Sequence, residues 1–180
     1  LEKWTHDNQM WDERTGMEAI KPFRSRVQLL DSLMKQDRGL KNALEDKRFI
    51  ISAEKQGKER MVFTFILNPG NGSVRRQITG YLEKWGNTNN HRLQSRTYNK
   101  TKLHTIYQGD DPRLSYAVIK GVLVGSPSRL PVEQAIRQSN IKNPLTSSSS
   151  FKKIRETAGK NVAANVFINF NHLPQLLALP

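Results

Sequence analysis

The chain has 180 residues, enough for one sizeable domain or two small ones, and no apolar run reaches the roughly 18 residues that a membrane-spanning helix needs. It contains no cysteine, which excludes disulfide bonds, thiolate zinc sites and a cysteine nucleophile. The formal net charge is +13, and the whole excess lies after residue 45, where 21 Lys or Arg accompany eight Asp or Glu, so we expect the chain to attract polyanions.

The first predicted elements are helical and cover residues 17–46, where apolar side chains recur at spacings of three and four. Pro22 is expected to separate a short first helix from a longer one. A β-hairpin follows, because the apolar runs 49–53 and 61–67 flank a polar turn that contains Gly57.

The middle of the chain predicts one helix and a four-stranded antiparallel meander. Ser73 is expected to cap the helix, whose apolar residues keep helical spacing until Gly86 ends it. Residues 91–126 alternate between apolar and polar side chains and predict the meander. Its last two strands are expected to join tightly at Lys120-Gly121.

The C-terminal part predicts two further helices and a closing strand. A short helix is expected over 130–139, and a second one runs from 151 to about 158 with Ser150 as its cap. The apolar run 163–170 is the expected closing strand, and residues 173–179 look like the start of another helix.

Hairpins dominate this order of elements, which therefore predicts an α+β fold. The sheet should be mainly antiparallel, formed by hairpins and a meander, with the helices packed on one face. We interpret residues 1–180 as a single α+β domain or an excised portion of a longer protein. Residues 1–46 would be a helical N-terminal region, and 47–180 would supply the sheet and the other helices.

The sequence contains no recognisable catalytic, metal-binding or cofactor-binding constellation. None of the four histidines has a second His or a carboxylate at a metal-binding spacing. Pro127 would remove the backbone N–H that an oxyanion hole beside Ser126 uses. We therefore predict a protein that is not an enzyme and takes no cofactor. An enzyme with a dispersed site is the alternative, and it would need His and carboxylate groups converging in a pocket.

Basic side chains form two candidate polyanion-binding segments. One follows glycines 70 and 72, where the first turn of a helix and two Arg side chains favour an anion. The other is the strand 92–98, in which Arg and Tyr side chains share one face, as in single-strand binders. A solvated outer face of a half-buried sheet explains the same alternation. The candidate residues are Arg75, Arg76, Arg92, Arg96, Lys100 and Lys102.

Several short segments, taken in order, cover most of the chain. They are 8–11 (NQMW), 29–33 (LLDSL), 49–53 (FIISA), 96–98 (RTY), 114–117 (LSYA), 121–128 (GVLVGSPS), 132–136 (VEQAI), 151–154 (FKKI) and 164–169 (ANVFIN). In this order they resemble an uncharacterised family of bacterial cell-envelope proteins, a domain of unknown function. The resemblance implies a longer protein with an N-terminal membrane anchor and the domain outside the cytoplasm, on the periplasmic side of the envelope. It implies no catalytic residue.

The leading hypothesis is a non-catalytic, extracytoplasmic envelope domain, anchored by a segment absent from these 180 residues. It would bind another envelope protein or its own missing C-terminal region, or serve a structural role. The alternative is a module that binds a polyanion, either nucleic acid or an acidic glycan, and the basic excess after residue 45 favours it.

Overall fold

The structure is a computed structural model. It describes residues 38–44, 47, 49–56, 60–88, 90–142, 144–159, 165 and 167. The strands are β1 (Phe49–Gln56), β2 (Arg60–Leu67), β3 (Arg92–Tyr98), β4 (Thr101–Gln108), β5 (Asp111–Ile119) and β6 (Val122–Ser126). The helices are α1 (Arg38–Leu44), α2 (Gly72–Gly86), α3 (Arg129–Gln138) and α4 (Ser149–Thr157), with a 3-10 turn at Leu145–Ser147.

Three sequence predictions fall wholly or mostly outside the described residues. They are the helical region before residue 38, the closing strand over 163–170 and the helix over 173–179. Two residues of the expected closing strand, Asn165 and Phe167, are described, and neither lies in a strand.

The six strands form one antiparallel sheet in the order β1-β2-β6-β5-β4-β3. β1 and β2 form a hairpin at one edge of the sheet. α2 then carries the chain to the opposite edge, where β3 lies. β4, β5 and β6 follow one after another back across the sheet, so that β6 pairs with β2. The turn between β5 and β6 is tight because φ is +49° at Lys120 and +89° at Gly121, the left-handed pair that suits twisted hairpins. The predicted α+β fold with its antiparallel hairpin and meander is confirmed.

One face of the sheet, called the α3 face, packs against α3. Leu103 of β4, Ala117 of β5 and Val124 of β6 lie side by side in the register and contact the buried Val132 and Ile136 of the helix. These residues form the larger described core.

The opposite face, called the α2 face, packs against α2. Leu67 of β2 and the neighbouring Leu123 of β6 form a second core with Ile78 of the helix. The last residue of the helix, Gly86, lies so close to the sheet that a Cβ atom there would be 3.1 Å from Leu93 and from Ile106.

The helices therefore lie on both faces, and the prediction that they pack on one face needs correction. The central strand β5 shows why, because its adjacent residues Tyr116 and Ala117 point to opposite faces and are only 1% and 0% exposed. A strand that is buried on both sides gives a continuous run of buried residues rather than an alternation.

Two helix caps also differ from the sequence predictions. The N-cap of α2 is Asn71, not Ser73, because the Asn71 side chain accepts a hydrogen bond from the backbone N–H of Val74 at 2.9 Å. The helix α4 begins at Ser149 with Ser148 as N-cap, so Ser150 lies within its first turn.

Candidate functional site

A groove of about 210 Å³ opens on the α3 face, where β3 and β4 meet the first residue of α3. Polar and apolar atoms contribute about equally to its lining, and three of its lining residues carry a guanidinium or a phenol group. The lining residues are Gln94, Ser95, Arg96, Leu103, Thr105, Tyr107 and Arg129.

The strand register brings the polar side chains to this face. Gln94 pairs with Thr105 and Arg96 pairs with Leu103, whose side chain belongs to the α3-face core. Because side chains alternate along a strand, Arg92, Gln94 and Arg96 share the α3 face. The predicted common face of these β3 residues is confirmed.

A buried carboxylate ties the two arginines of the groove together. Glu133 of α3 accepts a hydrogen bond from Arg96 Nη2, and its Oε1 lies 3.1 Å from Arg129 Nε. The Glu133 side chain is only 14% exposed, whereas those of Arg96 and Arg129 are 45% and 53% exposed. Two guanidinium groups thus share one carboxylate, so the cluster keeps a net positive charge and unused N–H donors at the surface.

Arg92 adds a third guanidinium group beside the groove. It lies 3.7 Å from Asp110, but both side chains are largely exposed, so solvent screens this ion pair. Its guanidinium also lies over the ring of Tyr107, 5.2 Å from the centroid. The guanidinium of Arg96 lies in the same way over the ring of Tyr98, 5.6 Å from the centroid. Both tyrosine rings on this face are therefore partly covered by arginine.

The six predicted polyanion-binding residues do not form one patch. Arg92 and Arg96 lie on the α3 face, whereas Lys102 pairs with Thr97 on the α2 face, and Lys100 lies in the turn between β3 and β4. The other two candidates belong to the first turn of α2, which packs on the α2 face. They are Arg75 and Arg76.

Sequence reasoning missed Arg129. It precedes Glu133 by one helical turn, a spacing that predicts an ion pair within a helix, but no local pattern shows that α3 docks beside Arg96. The sequence did not predict the position of the Arg75 side chain either. Its guanidinium lies near the turn between β5 and β6, where a Cβ atom on Gly121 would be 3.4 Å from Arg75 Nη1.

The α2 face contains a cluster of Ser95, His104 and Tyr116. Ser95 Oγ and His104 Nδ1 are 2.8 Å apart across β3 and β4, and the imidazole stacks on the Tyr116 ring. Burial, and secondly the charge of Lys102, lower the pKa of His104, against a smaller opposing effect of Glu83. Burial also raises the pKa of Tyr116.

The hydroxyl and imidazole of this cluster face away from the groove. A Ser–His pair can abstract a proton, but acyl transfer also needs oxyanion donors and a substrate recess next to the serine. The groove opens on the α3 face, whereas the register turns the Ser95 side chain toward the α2 face, opposite to Gln94 and Arg96. The hydrogen bond instead ties the edge strand β3 to β4.

Within the described ranges, no three His, Asp or Glu side chains are grouped closely enough to hold a metal ion. None of the helices in that part of the chain is both long and apolar enough to cross a membrane. No protein-family model, curated protein or solved structure matches the chain. The resemblance to the envelope family therefore stays a prediction.

Proposed function

We propose that this protein is a non-catalytic binding domain that captures a polyanion in the groove of the α3 face. The observation that carries the proposal is the convergence of Arg96 and Arg129 on the single carboxylate of Glu133. The carboxylate orients both guanidinium groups at the rim of a recess, and it balances only one of their two charges.

A solvated strand face would not need this arrangement. Long cationic side chains on an open surface are usually free to move, and orienting one costs side-chain entropy. Here two of them are held by a carboxylate that is itself mostly buried, and a third, Arg92, lies on the same face beyond Gln94. The groove is thus a preorganised surface for phosphate, sulfate or carboxylate groups.

The net charge of +13 supports the same proposal at longer range. A strongly positive protein raises the local concentration of polyanions and speeds their encounter with the surface. The overall charge does not distinguish the groove from the rest of the surface. The contribution of the groove is therefore measured by removing one positive charge inside it and, separately, one positive charge outside it.

The test is to measure the affinity for inorganic polyphosphate by calorimetry at a series of salt concentrations. The affinity should fall steeply with salt, with a log–log slope on the order of −2 to −3 if three guanidinium groups contact the ligand. Arg129→Gln should weaken binding by about tenfold. Lys152→Gln, which removes the same charge from the exposed surface of α4, should weaken it far less.

Two results would overturn the proposal. One is the absence of binding at low ionic strength. The other is an equal loss of affinity in Arg129→Gln and Lys152→Gln, since that would assign binding to the overall charge instead of the groove.

A second candidate function is docking to another envelope protein or to a C-terminal region of the same polypeptide. The observation that favours it is the apolar start of β1, an edge strand of the described sheet, where Phe49, Ile50 and Ile51 are all exposed. The extracytoplasmic, anchored location is part of this proposal and rests on the resemblance alone. A photo-crosslinker at Ile50 in the full-length protein in cells tests it, and a lack of any crosslinked partner would count against docking.

A further inference from the structure

We infer that the polyanion is an acidic polysaccharide, not a single-stranded nucleic acid. This inference rests on the proposed polyanion-binding function of the groove and adds the chemical class of the ligand. Three features of the groove carry it: the covered tyrosine rings, the burial of the Leu103 and Thr105 side chains, and the hydrogen-bonding groups beside the arginines.

The tyrosine rings are poorly placed for stacking with bases. Proteins that bind single-stranded nucleic acids without sequence preference stack successive bases on open aromatic rings. On the α3 face, the guanidinium of Arg92 lies over Tyr107 and that of Arg96 lies over Tyr98. A base would have to displace an arginine from the ring, and it would lose the cation–π contact that holds the arginine there.

The leucine and threonine side chains of the lining are not open to a base. Leu103, the aliphatic residue of the groove, is 1% exposed, because α3 covers it. The Thr105 side chain is buried as well, and its hydroxyl is hydrogen-bonded to Ser115 Oγ at 3.1 Å. Neither side chain therefore offers a base an apolar surface for stacking.

The polar groups of the groove suit a sugar that carries a carboxylate or sulfate group. The planar guanidinium of Arg96 or Arg129 can bind two oxygens of such an anion side by side. Gln94 is exposed next to them and has both a donor and an acceptor, which matches the hydroxyl groups of a sugar ring. A phosphate chain without hydroxyl groups can accept a hydrogen bond from the Gln94 amide N–H, but it has no group that could donate to the amide oxygen.

The experiment compares three ligands by calorimetry at low ionic strength: an oligogalacturonate, an oligothymidylate of equal charge and inorganic polyphosphate. The oligogalacturonate should bind about tenfold tighter than the oligothymidylate. Gln94→Leu should weaken oligogalacturonate binding severalfold and weaken polyphosphate binding much less. Gln138→Leu, which removes an exposed amide at the end of α3 outside the groove, should change neither.

The outcomes separate this inference from the proposed function. If the oligothymidylate binds as tightly as the oligogalacturonate, or if Gln94→Leu weakens polyphosphate binding to the same extent, the polysaccharide inference is wrong and polyanion binding stands. If none of the three ligands binds, both are wrong.

Discussion

His104 and Tyr116 stack ring against ring on neighbouring strands, with centroids 4.8 Å apart and 11° between their planes. The Tyr116 hydroxyl is buried, and among the described residues it has no hydrogen-bond partner. The stack fixes the imidazole so that Nδ1 meets Ser95 Oγ. It therefore connects the centre of the sheet to its edge strand β3 through side chains alone.

Tyr116→Phe should leave the protein as stable as before or make it more stable by up to about 1 kcal/mol. The substitution keeps the ring and its stack and removes a buried polar group that lacks a partner, whose desolvation opposes folding. Tyr116→Ala should cost about 3–5 kcal/mol, because it removes the packed ring as well. Urea denaturation measures both. A loss of more than about 1 kcal/mol in Tyr116→Phe would show that the hydroxyl has a hydrogen bond.

The stability should decrease as the pH falls below about 6.5. Burial and Lys102 hold the pKa of His104 below its ordinary value of 6.5, so the unfolded chain binds a proton that the folded chain resists. The contribution is complete above 6.5 and is lost as the pH falls toward the lowered pKa of the folded state. Urea denaturation at a series of pH values measures the slope.

His104→Gln should reduce this slope, since it removes the group that titrates differently in the two states. Lys102→Gln should reduce it partly, because the pKa of His104 then rises toward its ordinary value. His91→Gln serves as the control, as it removes an imidazole elsewhere. An unchanged slope in His104→Gln would assign the pH dependence to other groups.

Two glycines of α2 should respond to alanine in opposite directions. Gly80→Ala should stabilise the protein by about 0.5–1 kcal/mol, because Gly80 is exposed within the helix and a Cβ atom there meets no atom within 4 Å. Gly86→Ala should destabilise it by about 1–2 kcal/mol, since its Cβ atom would press on Leu93 and Ile106. Thermal unfolding measures both changes. A stabilised Gly86→Ala would contradict the docking of α2 on the sheet.

The sequence was sufficient to predict those parts of the fold that depend on local patterns. The turn at Lys120-Gly121 and the alternating strands around it were predicted because a left-handed turn and a two-residue repeat are visible within a few residues. The faces against which the helices pack were not predicted, because the packing of α3 on Ala117 and of α2 on Leu67 joins distant parts of the chain.

The candidate site was also predictable only in the features that depend on local patterns. The parity of β3 placed Arg92 and Arg96 together, but Lys102 was grouped with them by proximity in the sequence. The turn after Tyr98 reverses the chain, so Lys102 pairs with Thr97 and faces away from the groove. Arg129 is brought to Arg96 only by the docking of α3, for which the sequence carries no local signal.

Glu133→Gln should strengthen polyanion binding severalfold while it weakens the fold. The carboxylate neutralises one of the two guanidinium charges that it holds, so its removal leaves Arg96 and Arg129 with a net charge of two units facing the ligand. The amide oxygen of the new side chain can still accept from a guanidinium group and keep the arginines oriented, but both ion pairs are lost. Because both arginine side chains are about half exposed, hydration by water offsets part of this loss. The free energy of unfolding should therefore fall by about 1–2 kcal/mol.

Calorimetry with polyphosphate and urea denaturation measure the two effects of Glu133→Gln separately. Glu156→Gln is the matched control, because it removes a carboxylate from the exposed surface of α4 and should leave stability within about 0.5 kcal/mol. It also changes the net charge by the same amount, so it corrects for long-range attraction. If the two variants gain the same affinity, or if Glu133→Gln gains none, the ligand does not contact the arginine pair, and the groove is not the binding site.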